Sequence, residues 1–135
     1  MPPEADWVRN WLAKAEEDLA VAQRLLRDPP VYPAVAAFHA QQAAEKLLKA
    51  FLLHHRIEFE KAHSIRYLLD LCEGIDRSFG QLRDRAETLT RYAVTARYPI
   101  AGGEVEEGEA EDAVEAAAGV RVFVLGRLNP GRSPP

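Results

Sequence analysis

Apolar residues recur along this chain with a period near 3.6, in long runs separated by short joints rich in proline, glycine and charge, and no stretch shows the two-residue alternation of a strand. The first run spans Asp6, read as an N-cap, to Arg27, where Asp28-Pro29-Pro30 stops it. At about 100° per residue, Trp7, Trp11, Ala15, Leu19, Ala22 and Leu26 form one stripe. Asp18 falls inside it, and a buried carboxylate needs a partner. A second helix is predicted from Pro33 to His55, with Pro33 in its first turn and an apolar face of Ala37, Ala40, Ala44, Leu47, Leu48, Phe51 and Leu52. Its small early residues allow another helix to come close. The opposite face carries His39, Gln42, Glu45, Lys46 and Lys49, with Glu45 and Lys49 in the favourable i,i+4 orientation. Gln41, at the edge of the stripe, is a second polar group for the core to satisfy, so Asp18, Gln41, Glu45 and Lys49 stand as supporting polar residues.

A third helix is expected near Ser64 to Cys72, capped by Ser64 or His63 and closed at Gly74. A fourth, about Phe79 to Tyr98, uses Phe79, Leu82, Ala86, Leu89 and Ala93 as its seam, and Pro99 ends it. Its last two turns hold two Arg-Tyr pairs, Arg91-Tyr92 and Arg97-Tyr98. The acidic stretch GGEVEEGEAED then reads as a surface loop feeding a fifth helix, about Glu109 to Leu128, whose first glutamates suit the helix dipole. The fold predicted is all-α, an up-and-down bundle of four to five helices in a single domain over 1–128, with 129–135 a disordered tail.

Composition narrows the chemistry. A chain of 135 residues suits one core, and 47% apolar with 28% charged residues is the balance of a folded protein. The net charge of -4 argues against a broad basic surface, while leaving room for a local cluster such as Arg83, Arg85, Arg91 and Arg97. The lone Cys72 excludes an internal disulfide and falls on a buried helix face. No apolar run approaches the roughly 18 residues of a membrane span, and MPPEADW carries no targeting pattern, so a cytoplasmic protein without membrane contact is expected. Gly102-Gly103 lacks the lysine and hydroxyl residue of a phosphate loop, and His54, His55 and His63 lack metal-ligand spacing, so neither cofactor nor metal is expected. What remains is phosphate-and-base chemistry: Arg91 and Arg97 for bidentate phosphate contact, Tyr92 and Tyr98 for stacking. The competing reading packs Tyr92 in the bundle and pairs Arg97 with a core-edge carboxylate such as Asp18.

Four stretches in order, WLAKAEEDLAVAQRLL, FHAQQAAEKLLKAFLLHHRIE, KAHSIRYLLDL and the RYP at 97–99, resemble HEPN domains, particularly the small prokaryotic ones encoded beside minimal nucleotidyltransferases. The similarity covers Trp7 to Leu128, and QQAAEKLLKAFL is its most specific part. The resemblance implies a helical bundle that is usually dimeric, a role in toxin-antitoxin or stress systems, and a nucleotidyltransferase partner able to adenylylate a tyrosine, for which Tyr98 is nearest by position. Large aromatics such as Trp7, Trp11, Tyr32, Phe38 and Phe59 agree with a homodimer. Many HEPN proteins are metal-independent endoribonucleases with an arginine followed, after four to six residues, by a histidine. Counting from Arg91, that histidine would stand at 96, 97 or 98, where this chain has Ala96, Arg97 and Tyr98. Arg56 and His63 match the spacing elsewhere, across the turn between the second and third helices, and an atypical ribonuclease toxin would use either that pair or Arg91 with Arg97. The leading expectation is a nucleotide- or RNA-binding component of a two-gene module.

Overall fold

The computed structural model describes residues 3–60, 64–95 and 104–128; His63, Arg97, Tyr98, the expected stop at Pro99 and the tail 129–135 lie outside them, as does the side chain of Tyr92. Five helices account for nearly all of it: α1 Pro3–Arg27, α2 Pro33–His54, α3 Ile65–Ile75, α4 Arg83–Thr95 and α5 Glu107–Leu128. A 3-10 turn over Arg77–Leu82 leads into α4. No strand occurs among the described residues, and the fold is an all-α bundle.

α1 begins three residues earlier than expected, so Asp6 lies within the helix and pairs with Arg9 instead of capping it. Its buried seam is Val8, Ala15, Leu19 and Ala22, with Leu12 packed against it. Trp7, expected in that seam, is 58% exposed. Each i+4 step turns a residue about 40° away from a straight stripe, so three such steps from Leu19 carry Trp7 about 120° off the seam.

α2 is the axis of the bundle and packs against all four other helices. Ala36, Ala37, Ala40, Ala43 and Ala44 on α2 and Ala110, Ala113, Ala116 and Ala117 on α5 are all buried, and such small side chains let two backbones approach closely. Farther along, the Phe51 ring packs tilted against Phe79 at 4.4 Å and Phe79 meets Phe123 edge-on at 4.9 Å, so α2 and α5 finish at the same end of the molecule. α1 runs the other way, with Asp18 beside His39 and Trp11 beside Lys49. Each large apolar side chain buried in this core contributes about 1.5–3 kcal/mol.

The joints explain where the helices stop. At the end of α2 the Arg56 amide donates to the Leu53 carbonyl (3.0 Å) and that of Ile57 to Leu52 (2.9 Å), a Schellman arrangement, with Arg56 at φ 58 in the left-handed region that usually takes glycine. Ser64 caps α3, accepting from the Tyr67 amide at 3.3 Å. α3 does not close at Gly74 but continues to Ile75, where Asp76 turns extended and accepts from the Ser78 amide at 2.9 Å. That side-chain cap starts the 3-10 turn, so the single helix predicted from Phe79 is divided: Phe79 and Leu82 are buried from the 3-10 turn, and α4 begins at Arg83. α5 starts at Glu107 instead of Glu109, with both glutamates in its first turn.

Candidate functional site

Two polar regions flank the core. The first is a cleft of about 420 Å3 between α4 and α5. Asp84, Thr88 and Arg91 project into it from one face of α4, at i, i+4 and i+7, with Arg85 beside them; Asp112 and Glu115 face them from α5. Arg85 is committed within it: its Nη1 donates to the Glu115 main-chain carbonyl at 3.1 Å and lies 3.3 Å from the Glu115 carboxylate. Its guanidinium fills the notch left by Gly119, where a Cβ would stand 2.2 Å from the Arg85 Cζ. Arg91 is exposed. One turn before it, Glu87 is held below the ordinary carboxylate range by its hydrogen bonds to Arg66, and the charges of Arg66, Arg83 and Arg91 pull in the same direction. Three carboxylates thus share the cleft with two guanidiniums, and the cleft has no general positive field.

The second region lies between α1 and α2. Asp18, its side chain 14% exposed, accepts from His39 Nδ1 at 3.0 Å on one oxygen and is bonded by the Lys46 ammonium on the other. Because an ionised carboxylate only accepts, the His39 Nδ1 that faces it carries a proton. One turn further along α2, Glu45 is only 2% exposed. It accepts from Gln41 Nε2 at 2.9 Å and Gln42 Nε2 at 3.3 Å and pairs with Lys49 at 3.5 Å, while Gln42 also donates to Gln41 at 2.9 Å. The Lys49 ammonium lies 5.4 Å from the Trp11 ring centre and 5.9 Å from that of Phe59. Ordered donors on a buried carboxylate are what make its burial tolerable.

The structure therefore joins Gln41, Glu45 and Lys49 into one network and sets Asp18 beside it, but on partners the sequence did not point to. Asp18 is satisfied by His39 and Lys46, residues expected on a free polar face; Arg97, the partner considered for it, lies outside the described residues. The missed signal was in the spacing, since 39 and 46 are seven apart and share the side of α2 that meets α1. Glu45, placed by its helical wheel on the polar face, is buried because α2 is enclosed by four helices. Of the two catalytic candidates, Arg56 forms the left-handed turn after α2, and its intended partner His63 falls outside the described residues. Of the four phosphate and stacking candidates, the side chain of Arg91 alone is described. Cys72 is a core residue: burial pushes its thiol up to about 12, and Sγ lies 3.9 Å from the Leu48 carbonyl. Among the described residues no group of three His, Cys, Asp or Glu side chains could hold a metal ion, and no helix is long and apolar enough to cross a membrane.

The chain is a five-helix bundle built on an alanine-rich central helix that carries a buried Gln-Glu network. The HEPN domain model matches residues 8–127, and the chain belongs to the HEPN family. Among solved structures, TT1696 from Thermus thermophilus is 32% identical, with a TM-score of 0.74 over 89% of this chain and 97% of that one. ST0689, described as an archaeal HEPN homologue, is 28% identical, with a TM-score of 0.70 over 90% of this chain and 98% of that one. No curated protein matches the chain.

Proposed function

We propose that this HEPN domain is the nucleotide- or RNA-binding component of a toxin-antitoxin-like or stress module, working as a homodimer with a nucleotidyltransferase partner, and gripping phosphate with Arg91 and Arg97 while Tyr92 and Tyr98 stack on bases. The reading is carried by an exposed Arg91 in the α4–α5 cleft of a chain that has Ala96, Arg97 and Tyr98 where a family nuclease has its histidine. Arginine binds phosphate through two parallel hydrogen bonds, yet it stays protonated at any ordinary pH and is a poor proton shuttle. Binding is therefore the function this set of side chains retains.

Purified protein titrated with labelled ATP and labelled oligoribonucleotides at low salt tests this directly. Arg91→Ala and Arg97→Ala should each weaken binding and lower its salt dependence, by about 0.7 in the log-log slope for each single-strand phosphate that is no longer neutralised. Absence of binding by the wild type removes the reading. The same sample separates the alternative of an atypical ribonuclease using Arg56 and His63: RNA left intact after long incubation sinks it, and cleavage abolished by His63→Ala supports it. Sedimentation as a 15.1 kDa species at tens of micromolar would remove the homodimer. Co-purification with the product of an adjacent nucleotidyltransferase gene tests the partner.

A further inference from the structure

Both tryptophans of the chain, Trp7 and Trp11, lie one turn apart on α1. With Asn10 and Lys14 they line a depression of about 300 Å3 on the outer side of that helix. Trp7 leaves 58% of its surface in water, and Trp11 is half-buried with the Lys49 ammonium 5.4 Å from its ring centre. Lys14 is exposed and pairs at 3.3 Å with Glu17, a surface contact of the weak kind that a phosphate can displace. The depression is shallow and lined by two indoles, a shape that accepts a flat ring. Indole faces beside ammonium groups are the combination that takes a base together with its phosphate.

We infer that α1 carries a base-stacking site for single-stranded RNA, in which Trp7 and Trp11 stack on successive bases, Lys14 meets the intervening phosphate and Asn10 offers a hydrogen-bonding edge. The Cα positions of Trp7 and Trp11 are about 6 Å apart along the axis at roughly 1.5 Å per residue, close to two base-stacking rises of ~3.4 Å. Lys49, already paired with the buried Glu45, lies against the Trp11 ring and fixes its position. The site rests on the ligand class proposed above but not on Arg91, since it is built from α1 and α2 and the cleft is built from α4 and α5.

Because the only two tryptophans are both in the site, intrinsic fluorescence reads it without a label. Titration with an oligoadenylate of about eight nucleotides should quench the emission saturably, whereas ribose 5-phosphate should leave it unchanged. Trp7→Ala, at an exposed position, should weaken binding about tenfold, and Trp7→Phe should restore most of it. Lys14→Gln should weaken binding and lower its salt dependence. Lack of saturable quenching, equal quenching by ribose 5-phosphate, or wild-type affinity in Trp7→Ala overturns the inference. Loss of binding in Arg91→Ala with none in Trp7→Ala sinks this site and keeps the cleft; the reverse keeps this site and removes the cleft. An oligoadenylate that does not bind at all removes this site, and removes the cleft as well when labelled ATP also fails to bind.

Discussion

Arg56 is the one described non-glycine residue with a positive φ, and its position at the end of α2 explains why it must be there. The two Schellman hydrogen bonds that close α2 require a left-handed residue at this point, where a Cβ is strained. Comparing Arg56→Gly with Arg56→Ala removes the long side chain from both and isolates the backbone. The glycine variant should be more stable than the alanine variant by about 1 kcal/mol in urea unfolding. Asp18 poses the opposite case, a residue held by its partners. Asp18→Ala leaves Lys46 and His39 part-buried without their acceptor, and a loss of roughly 1–3 kcal/mol should follow. Asp18→Asn, which keeps an oxygen for one of the two donors, should lose less; equal losses would show that one neutral acceptor is not enough and that the second oxygen and the charge are what hold α1 to α2 here.

At the scale of the helix, what was legible from the sequence was whatever depends on a single segment. The Ser64 cap, the proline opening of α2 and the alanine face of that helix all follow from local pattern and all stand in the structure. The misplacements of Trp7 and Glu45 come from one cause, that a helical wheel knows one face of one helix. α2 buries Gln41 and Glu45 as well as its apolar stripe because four helices surround it, and no periodicity in α2 alone contains that fact. The α4–α5 cleft was hidden for the same reason, since Asp112 and Glu115 are 21 and 24 residues beyond Arg91 in the chain, being positions 112 and 115 against 91. Gly119 shows how the two elements are fitted. In isolation, glycine inside a helix costs about 1 kcal/mol against alanine, but here its missing Cβ admits the Arg85 guanidinium. Gly119→Ala in the wild type should therefore change stability little, as helix gain offsets displacement of Arg85 from Glu115. In an Arg85→Ala background the same change should stabilise by about 1 kcal/mol, and the difference between the two is the coupling read by a double-mutant cycle.

For the whole molecule, the end of the bundle where α2 and α5 both finish holds two groups, His55 and Asp76, whose titration shifts on folding. There the Phe51, Phe79 and Phe123 rings run across the core, and His55 lies 4.5 Å from Phe51 and 5.0 Å from His54. Asp76 ties the end together, accepting from the Ser78 amide (2.9 Å) and hydroxyl (2.6 Å) and pairing with Arg127 of α5 at 3.2 Å. His55 is pulled below its ordinary 6.5 by desolvation and then by the neighbouring His54, against the opposing charge of Asp76. The unfolded chain thus takes up a proton just below pH 6.5 that the folded chain resists, and stability falls as the pH drops from there toward the folded value. Asp76 is held below its ordinary 3.8, first by its hydrogen bonds with Ser78, so its contribution is present above that pH and is lost only on further acidification. The two windows are separate, and substitutions resolve them. In thermal melts followed by circular dichroism, the midpoint should decline as the pH falls below about 6.5, and His55→Gln should flatten that decline while the fall on further acidification remains. Asp76→Asn should do the reverse, lowering the midpoint at neutral pH and shallowing the acid limb, because it weakens the contact that holds α5 to the α3 joint without touching the histidine. A His55→Gln protein that kept the full upper decline would place the proton uptake on another group and break the link between this end of the bundle and the neutral-pH response.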